Sequence, residues 1–177
     1  RCMNRYNQIE EKADLGFAPD SSFPLTYAEK GLLQVKLHGP GWEDRPLQAG
    51  HALNVVPDKA TYSGQRLEEL LPVIEQSGVN YTEELGAVTV LGLSKHSKDA
   101  AEGVNAIVGL AESLSLIQPH PALLFIADAV GEDATGGALF GEIKDEPSGT
   151  LSFNIATLSI DEERSEIGID IRIPVLA

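Results

Sequence analysis

Asp20 is the residue whose sequence surroundings most readily suggest chemistry. It lies in the run APDSSFP, residues 18–24. A proline ring fixes φ and restricts the residue before it, so Pro19 and Pro24 stiffen the chain on both sides of this carboxylate. A carboxylate held in this way suits a metal ligand or a substrate anchor. The same pattern fits an Asx-type turn between two elements, which is the commoner use of such residues.

The elements that would position this loop begin with two strands and a helix. Residues 31–37 alternate between apolar and polar side chains, which predicts a strand. A second strand candidate, 52–62, is interrupted at Pro57. Leucines at helical spacing predict a helix over 65–76, in which Pro72 causes a kink or an early end.

A second round of elements follows. Residues 87–93 are rich in β-branched residues and predict a strand, and 101–116 predict a helix with Asp99 as its N-cap. A short apolar helix is expected at 121–129, and the glycine-rich and acidic segment 131–149 predicts a long loop.

Two strands close the pattern, at 151–158 and 166–173, and the charged turn between them predicts an exposed hairpin. Each strand–helix unit must bury one face on a shared sheet. The predicted fold class is therefore α+β, with helices packed mainly on one face of the sheet. The two rounds form a loose structural repeat.

Composition limits the class of partner. The chain has 177 residues, 42% of them hydrophobic, and no apolar stretch approaches the roughly 20 residues that a membrane span needs. A net charge of −14 disfavours nucleic acid and anionic membrane, which both require clustered Lys and Arg. The single cysteine, Cys2, excludes an internal disulfide and favours a cytoplasmic location.

Four patterns, in order along the chain, resemble the zinc dipeptidases of metallopeptidase family 20, the PepV-like bacterial group. They are DLGFAPDSSFPLTYAEKG (14–31), GHALNVVPDKA (50–60), SKHSKDAAEGVNA (94–106), and SGTLSFNIATLSI (148–160) with EIGIDIRIPV (166–175). None is decisive alone, but together they cover most of the chain.

The resemblance implies a catalytic domain with two zinc ions and a lid domain inserted within it. The lid would consist of two α/β, ferredoxin-like repeats. Residues 1–28 would belong to the catalytic domain, 29–86 to the first lid half and 87–177 to the second. Asp20 matches a zinc ligand of the family, which turns the choice between turn and ligand in favour of the ligand. Carboxylates hold zinc at about 2.0–2.2 Å.

The resemblance also implies roles for three lid residues. His96 matches the histidine that stabilises the anionic tetrahedral intermediate, where an N–H donor is worth roughly 3–4 kcal/mol. Asn54 matches the asparagine that holds the substrate backbone. Arg172 matches the arginine that binds the terminal carboxylate of the dipeptide, for which the planar guanidinium fork is well suited.

Each of these residues also has a purely structural explanation. His96 lies in a polar turn where an exposed histidine without a role is common, and Asn54 could satisfy a strand edge. Arg172 could lie on the solvent face of a strand, with Asp170 as its ion-pair partner. Among the other aromatic and imidazole side chains, His38 and His120 are expected to be structural, Trp42 to serve packing, and His51 is undecided.

The absence of an initiator methionine before Arg1 and the apolar run at 167–177 suggest a piece of a longer protein. The family's glutamate pair and catalytic histidines are missing, so we expect this piece alone to bind zinc poorly and to lack peptidase activity. Its partners would be a dipeptide substrate and the missing catalytic domain of the same chain. The alternatives are a non-catalytic α/β sensor or dimerisation module, or a related aminoacylase or carboxypeptidase.

Overall fold

A computed structural model describes residues 2–12, 14 and 26–177. The helices are α1 (Cys2–Ile9), α2 (Leu67–Ser77), a 3₁₀ helix (Ser97–Glu102), α3 (Ala106–Ile117), α4 (Pro121–Leu124) continuing as a π-helical turn (Phe125–Val130), and α5 (Gly137–Phe140). The strands are β1 (Gly31–Pro40), β2 (Leu47–Ala49), β3 (Lys59–Tyr62), β4 (Tyr81–Glu84), β5 (Ala87–Leu91), β6 (Lys144–Asp145), β7 (Gly149–Thr150), β8 (Ser152–Ile160) and β9 (Arg164–Ile173).

The described strands form antiparallel sheets, and with the helices they confirm the predicted α+β class. A four-stranded sheet has the order β1-β9-β8-β2, a three-stranded sheet has the order β3-β5-β4, and β6 pairs with β7. Both larger sheets combine strands from before and after residue 86. The division into lid halves at 29–86 and 87–177 stays a prediction, as does the ferredoxin-like repeat.

The β8–β9 hairpin organises the larger sheet and follows the predicted pattern. Residues directly opposite each other in an antiparallel pair point to the same face. One face carries apolar pairs, Phe153 with Ile171 and Ile155 with Ile169. This face belongs to the buried core shared with α3 and α4. The opposite face carries the polar residues Ser152, Asn154, Asp170 and Arg172.

The predicted helix over 101–116 begins later than expected, and its N-cap is Asn105 rather than Asp99. The side-chain oxygen of Asn105 accepts hydrogen bonds from the backbone N–H groups of Ile107 and Val108. Asp99 instead lies inside the separate 3₁₀ helix, with φ −113°. Gly103 is extended, which separates the two helices. An asparagine is among the best N-caps, so the signal was present in the sequence.

Two other predicted elements are corrected. Only Lys59–Tyr62 of the strand candidate 52–62 is a strand, and a turn precedes it. The segment 131–149 is not a plain loop, since it contains α5 and the short strand β6. The helix predicted over 65–76 is confirmed as α2, but it does not end early at Pro72. It continues to Ser77 and is followed by the C-cap Gly78 in the left-handed region, φ 78°.

None of the helices in the described part of the chain combines the length and apolarity that crossing a bilayer requires.

Candidate functional site

Asn54 and His96 are neighbours, although they are far apart in the sequence. Val55 and His96 form an isolated antiparallel bridge, and the backbone N–H of Ser97 donates to the carbonyl of Asn54 at 2.9 Å. Both Asn54 and His96 are exposed. The side-chain amide of Asn54 makes no hydrogen bond to any residue described, so it does not satisfy a strand edge. It is free to bind a ligand.

The position of His96 determines the tautomer of its ring. His96 is the N-cap of the 3₁₀ helix, and its Nδ1 accepts a hydrogen bond from the backbone N–H of Lys98 at 3.2 Å. A neutral imidazole that accepts at Nδ1 carries its proton on Nε2. This Nε2–H has no partner among residues 26–177. It is therefore a donor available to an acceptor from outside this part of the chain.

Arg172 is not on a solvent-exposed face, and its guanidinium is held by Asp170. The Nε donates to Asp170 Oδ1 at 2.7 Å and Nη2 lies 3.4 Å from Oδ2. The Asp170 side chain is fully buried and that of Arg172 is 18% exposed. Gln34 Nε2 also donates to Asp170 Oδ2, at 3.0 Å. One edge of the guanidinium is thus occupied, while Nη1 and one hydrogen of Nη2 remain for another acceptor.

A buried polar cluster connects the Asn54–His96 pair to the strand that neighbours Arg172. Ser152, which lies opposite Arg172 in the β8–β9 register, donates its hydroxyl to the carbonyl of Ser97. Asn154 donates to the carbonyl of Val55 at 2.9 Å and to Ser97 Oγ at 2.8 Å. The structure therefore brings the backbone segments that contain Asn54 and His96 onto the polar face of the β8–β9 hairpin, the same face that carries Arg172.

The surroundings of the site are open. A cavity of about 440 Å³ lies beside the polar cluster, and Asn105, Asn154 and Val56 are among its lining residues. Neither Asn54, His96 nor Arg172 lines this cavity. Asn54 and His96 are thus exposed on the surface, whereas the side chain of Arg172 is partly buried.

The described residues do not form a zinc centre. No group of three or more His, Cys, Asp or Glu side chains among them could hold a metal ion. Asp20, the predicted zinc ligand, lies outside the described residues. The described residues therefore supply an incomplete set of zinc ligands.

His120 and Trp42 are buried, as expected of structural residues, whereas His38 is exposed and the role of His51 is still undecided. His120 is buried, caps α4 by accepting from the Ala122 N–H at 3.2 Å, and its Nε2 lies 3.1 Å from the Pro40 carbonyl oxygen. The Trp42 ring packs edge-on against the His120 ring, with 5.8 Å between the ring centroids. His38 is exposed on β1, 3.7 Å from Glu166.

Asn154 and Ser97 are the members of the site that sequence reasoning missed. Both are polar and almost completely buried, with exposures of 2% and 0%. The signal for Asn154 was available, because alternation along the strand gives it the same face as Ser152, opposite to the apolar Phe153 and Ile155. For Ser97 the sequence offered nothing beyond a polar turn.

The chain is similar to proteins named as dipeptidases. It is 32% identical over 201 aligned residues to "Putative dipeptidase YtjP" of Bacillus subtilis, which covers all of this chain and 43% of that protein. It is 29% identical to "Putative dipeptidase MW1694" of Staphylococcus aureus, over 98% of this chain and 42% of that protein. No protein-family model matches the chain.

These similarities support a relationship to dipeptidases, which are peptide hydrolases. The chain spans less than half the length of the relatives it matches. The similarity therefore does not by itself assign the activity of these relatives to the chain.

Proposed function

We propose that this chain is the substrate-binding lid of a dipeptidase, which closes over a catalytic domain formed by other parts of the same polypeptide. One observation carries the proposal: Asn54 and His96, from separate segments, are joined by backbone pairing on the face of the sheet that also carries Arg172. The similarity to putative dipeptidases supports the reaction class.

In this proposal His96 is a catalytic residue. Its Nε2–H is a neutral donor without a partner among the residues that the structure describes. When the scissile carbonyl becomes tetrahedral, negative charge develops on its oxygen, and a fixed N–H donor stabilises that charge more than the uncharged substrate. The Lys98 backbone N–H fixes the imidazole in the tautomer that this task requires.

Arg172 and Asn54 would bind the dipeptide. The free edge of the Arg172 guanidinium suits a terminal carboxylate, while Asp170 holds the other edge and prevents the side chain from turning away. The exposed amide of Asn54 can donate to and accept from a peptide group. In this arrangement, recognition of the C-terminal carboxylate next to the scissile bond would select dipeptides over longer peptides.

The open surface agrees with a lid, because a lid presents its residues to a second surface instead of enclosing the substrate by itself. Closure would exclude water and complete the site. Two zinc ions, with Asp20 as one ligand, remain the cofactor that the family resemblance implies, and a cytoplasmic location remains part of the proposal.

The decisive variant is His96→Ala in the full-length protein that contains this chain. We expect kcat for a dipeptide to fall about 10²–10³-fold, with a smaller change in KM, because an oxyanion donor acts mainly in the transition state. His38→Ala is the matched control, since it removes an exposed histidine whose partner is Glu166. An unchanged kcat in His96→Ala would remove His96 from the mechanism.

The carboxylate clamp is tested by comparing a dipeptide with its C-terminal amide. Arg172→Lys should raise KM for the free dipeptide about tenfold to a hundredfold, as expected when a charge-assisted hydrogen bond is lost. The amide should respond much less, since it has no carboxylate to bind. Equal responses of both substrates would show that Arg172 does not recognise that group.

The same panel separates the alternatives. Faster cleavage of N-acyl amino acids would assign an aminoacylase, and release of single residues from long peptides a carboxypeptidase. Tight binding of a dipeptide without hydrolysis would favour a non-catalytic sensor, and dimerisation alone a dimerisation module.

A further inference from the structure

The side-chain amide of Asn154 makes more hydrogen bonds to the described residues than any other side chain on the polar face of the β8–β9 hairpin. It is 2% exposed, so water cannot satisfy its hydrogen-bonding groups. A buried amide without partners costs on the order of several kcal/mol on transfer from water, and such groups are accordingly paired in folded proteins. The partners of Asn154 are therefore informative about what it holds in place.

The nitrogen of this amide joins the two segments that carry the candidate site. It donates to the carbonyl of Val55, next to Asn54, and to the hydroxyl of Ser97, next to His96. The Ser97 hydroxyl in turn donates to the carbonyl of Leu53 at 3.0 Å. One amide thus fixes the backbone on both sides of Asn54 and the residue after His96.

The oxygen of the amide is fixed as well. It accepts from Asn105 Nδ2 at 3.2 Å, and the same Nδ2 donates to the carbonyl of Ile155 at 2.7 Å. Asn105 is in turn oriented by its role as N-cap of α3. Because all donors and acceptors are directional, the Asn154 amide has a single orientation, with its nitrogen towards the Asn54 and His96 segments.

Asn154 also lies next to the Asp170–Arg172 ion pair. It is opposite Asp170 in the β8–β9 register, and Asp170 holds Arg172. We infer that Asn154 is a positioning residue that acts through Ser97 to hold His96 and Asn54 in register with Arg172. This inference rests on the proposed function. It adds to the proposed function the residue, Asn154, that sets the positions of Asn54 and His96 relative to Arg172.

The test is Asn154→Asp in the full-length protein. The variant has nearly the same shape, but it replaces the donating nitrogen by an oxygen that faces the Val55 carbonyl. We expect kcat for a dipeptide to fall about tenfold to a hundredfold, the size of effect produced by misplacing a catalytic group by about 1 Å. KM should also rise, since Asn54 moves with His96.

Two further readouts distinguish positioning from a loss of stability. Amide hydrogen exchange should accelerate in peptides covering 51–58 and 94–100, and remain unchanged in peptides covering α2. In a His96→Ala background, Asn154→Asp should lower kcat less than about threefold, because most of its effect passes through the missing imidazole.

Ile155→Ala is the matched control, since Ile155 is the next residue on β8 and its side chain points to the opposite, apolar face. It should destabilise the protein but leave kcat and the exchange of 94–100 unchanged. If Asn154→Asp does not fold, Ser97→Ala decides the question. This variant removes the Ser97 hydroxyl, which links Asn154 to the carbonyl of Leu53, and keeps the Asn154 amide. It should also lower kcat, by a smaller factor than Asn154→Asp.

The outcomes separate this inference from the proposed function. If His96→Ala leaves kcat unchanged, the proposed function fails whatever Asn154 does. If His96→Ala lowers kcat but Asn154→Asp and Ser97→Ala do not, the inference is overturned and the proposed function stands. Fully multiplicative effects in the double variant would also overturn it, because they would show that the two residues act independently.

Discussion

The two faces of the β8–β9 hairpin are both buried along much of their length, but they are buried for different reasons. The apolar face, with Ile155 opposite Ile169, packs into a core where any side chain of suitable shape and volume would serve. The polar face, with Asn154 opposite Asp170, contains directional groups that hold particular partners. Packing determines whether the hairpin folds, and hydrogen bonding determines where neighbouring segments lie on it.

This difference predicts that stability and activity can be changed separately. Substitutions on the apolar face should lower stability and leave the kinetics of the proposed dipeptidase, measured on folded protein, unchanged. Substitutions in the polar cluster should alter the kinetics beyond what their effect on stability explains.

The largest stability effect is expected for Ile155→Ala, whose side chain is 1% exposed. Removing buried methyl and methylene groups and leaving a cavity costs about 2–5 kcal/mol. Denaturation of the full-length protein, followed by hydrogen exchange of peptides from 152–173, measures this loss. A kcat reduced more than a few-fold in the folded variant would break the proposed separation of the two faces.

An intermediate effect is expected at a buried polar cluster away from the hairpin. Tyr62 donates to Asp44 Oδ2 at 2.5 Å. Burial would raise the pKa of Asp44, but hydrogen bonds from Tyr62 and from the Gln65 and Arg45 backbones outweigh it and lower that pKa. Tyr62→Phe should cost about 1.5–3 kcal/mol at neutral pH, the range for a hydrogen bond to a charged group.

The pH dependence of this effect has a definite sign. Because the pKa of Asp44 is depressed in the folded state, its contribution is fully present above the ordinary aspartate pKa, about 3.9, and is lost as pH falls through the lower folded pKa. The difference between wild type and Tyr62→Phe should therefore shrink below about pH 4. A constant difference between pH 7 and pH 3 contradicts this, and an altered kcat would show that this cluster also serves the site.

The smallest effect is expected for Glu166→Gln, at the partly exposed end of the polar face. Glu166 accepts a hydrogen bond from Lys36 at 2.7 Å, which lowers the pKa of its carboxyl. Exposed ion pairs contribute about 0–1 kcal/mol and weaken with salt. The free energy of unfolding obtained from melting curves at low and high salt should differ from that of the wild type by no more than about 1 kcal/mol. The kinetics should be unchanged. A large kinetic effect would extend the functional part of the face to this end.

Much of the fold could be predicted from local patterns. The alternation over 166–173 and its turn predicted the hairpin, and the leucine spacing over 65–76 predicted α2. Errors occurred where short polar segments had competing choices, as at Asp99 and Asn105. Both are acceptable N-caps, and the extended Gly103 between them separates two helices that the sequence pattern had merged.

Of the candidate site, the sequence could supply residue types but not their arrangement. The pairing of Asp170 with Arg172 was foreseeable, because residues two apart on a strand share a face. The neighbourhood of Asn54 and His96 was not, because it depends on an isolated bridge between distant segments. Asp20 lies outside the described residues, and its role stays a prediction.

The sequence by itself determined the α+β class and the two faces of the closing hairpin, because these follow from periodicities that repeat over a few residues. Only the tertiary structure decided that the segments around Asn54 and His96 meet over the polar face, where Asn154 and Ser97 bind them. The physical reason is that buried amides and hydroxyls choose partners by direction and distance in space, and local sequence carries no record of which distant carbonyl will be within reach.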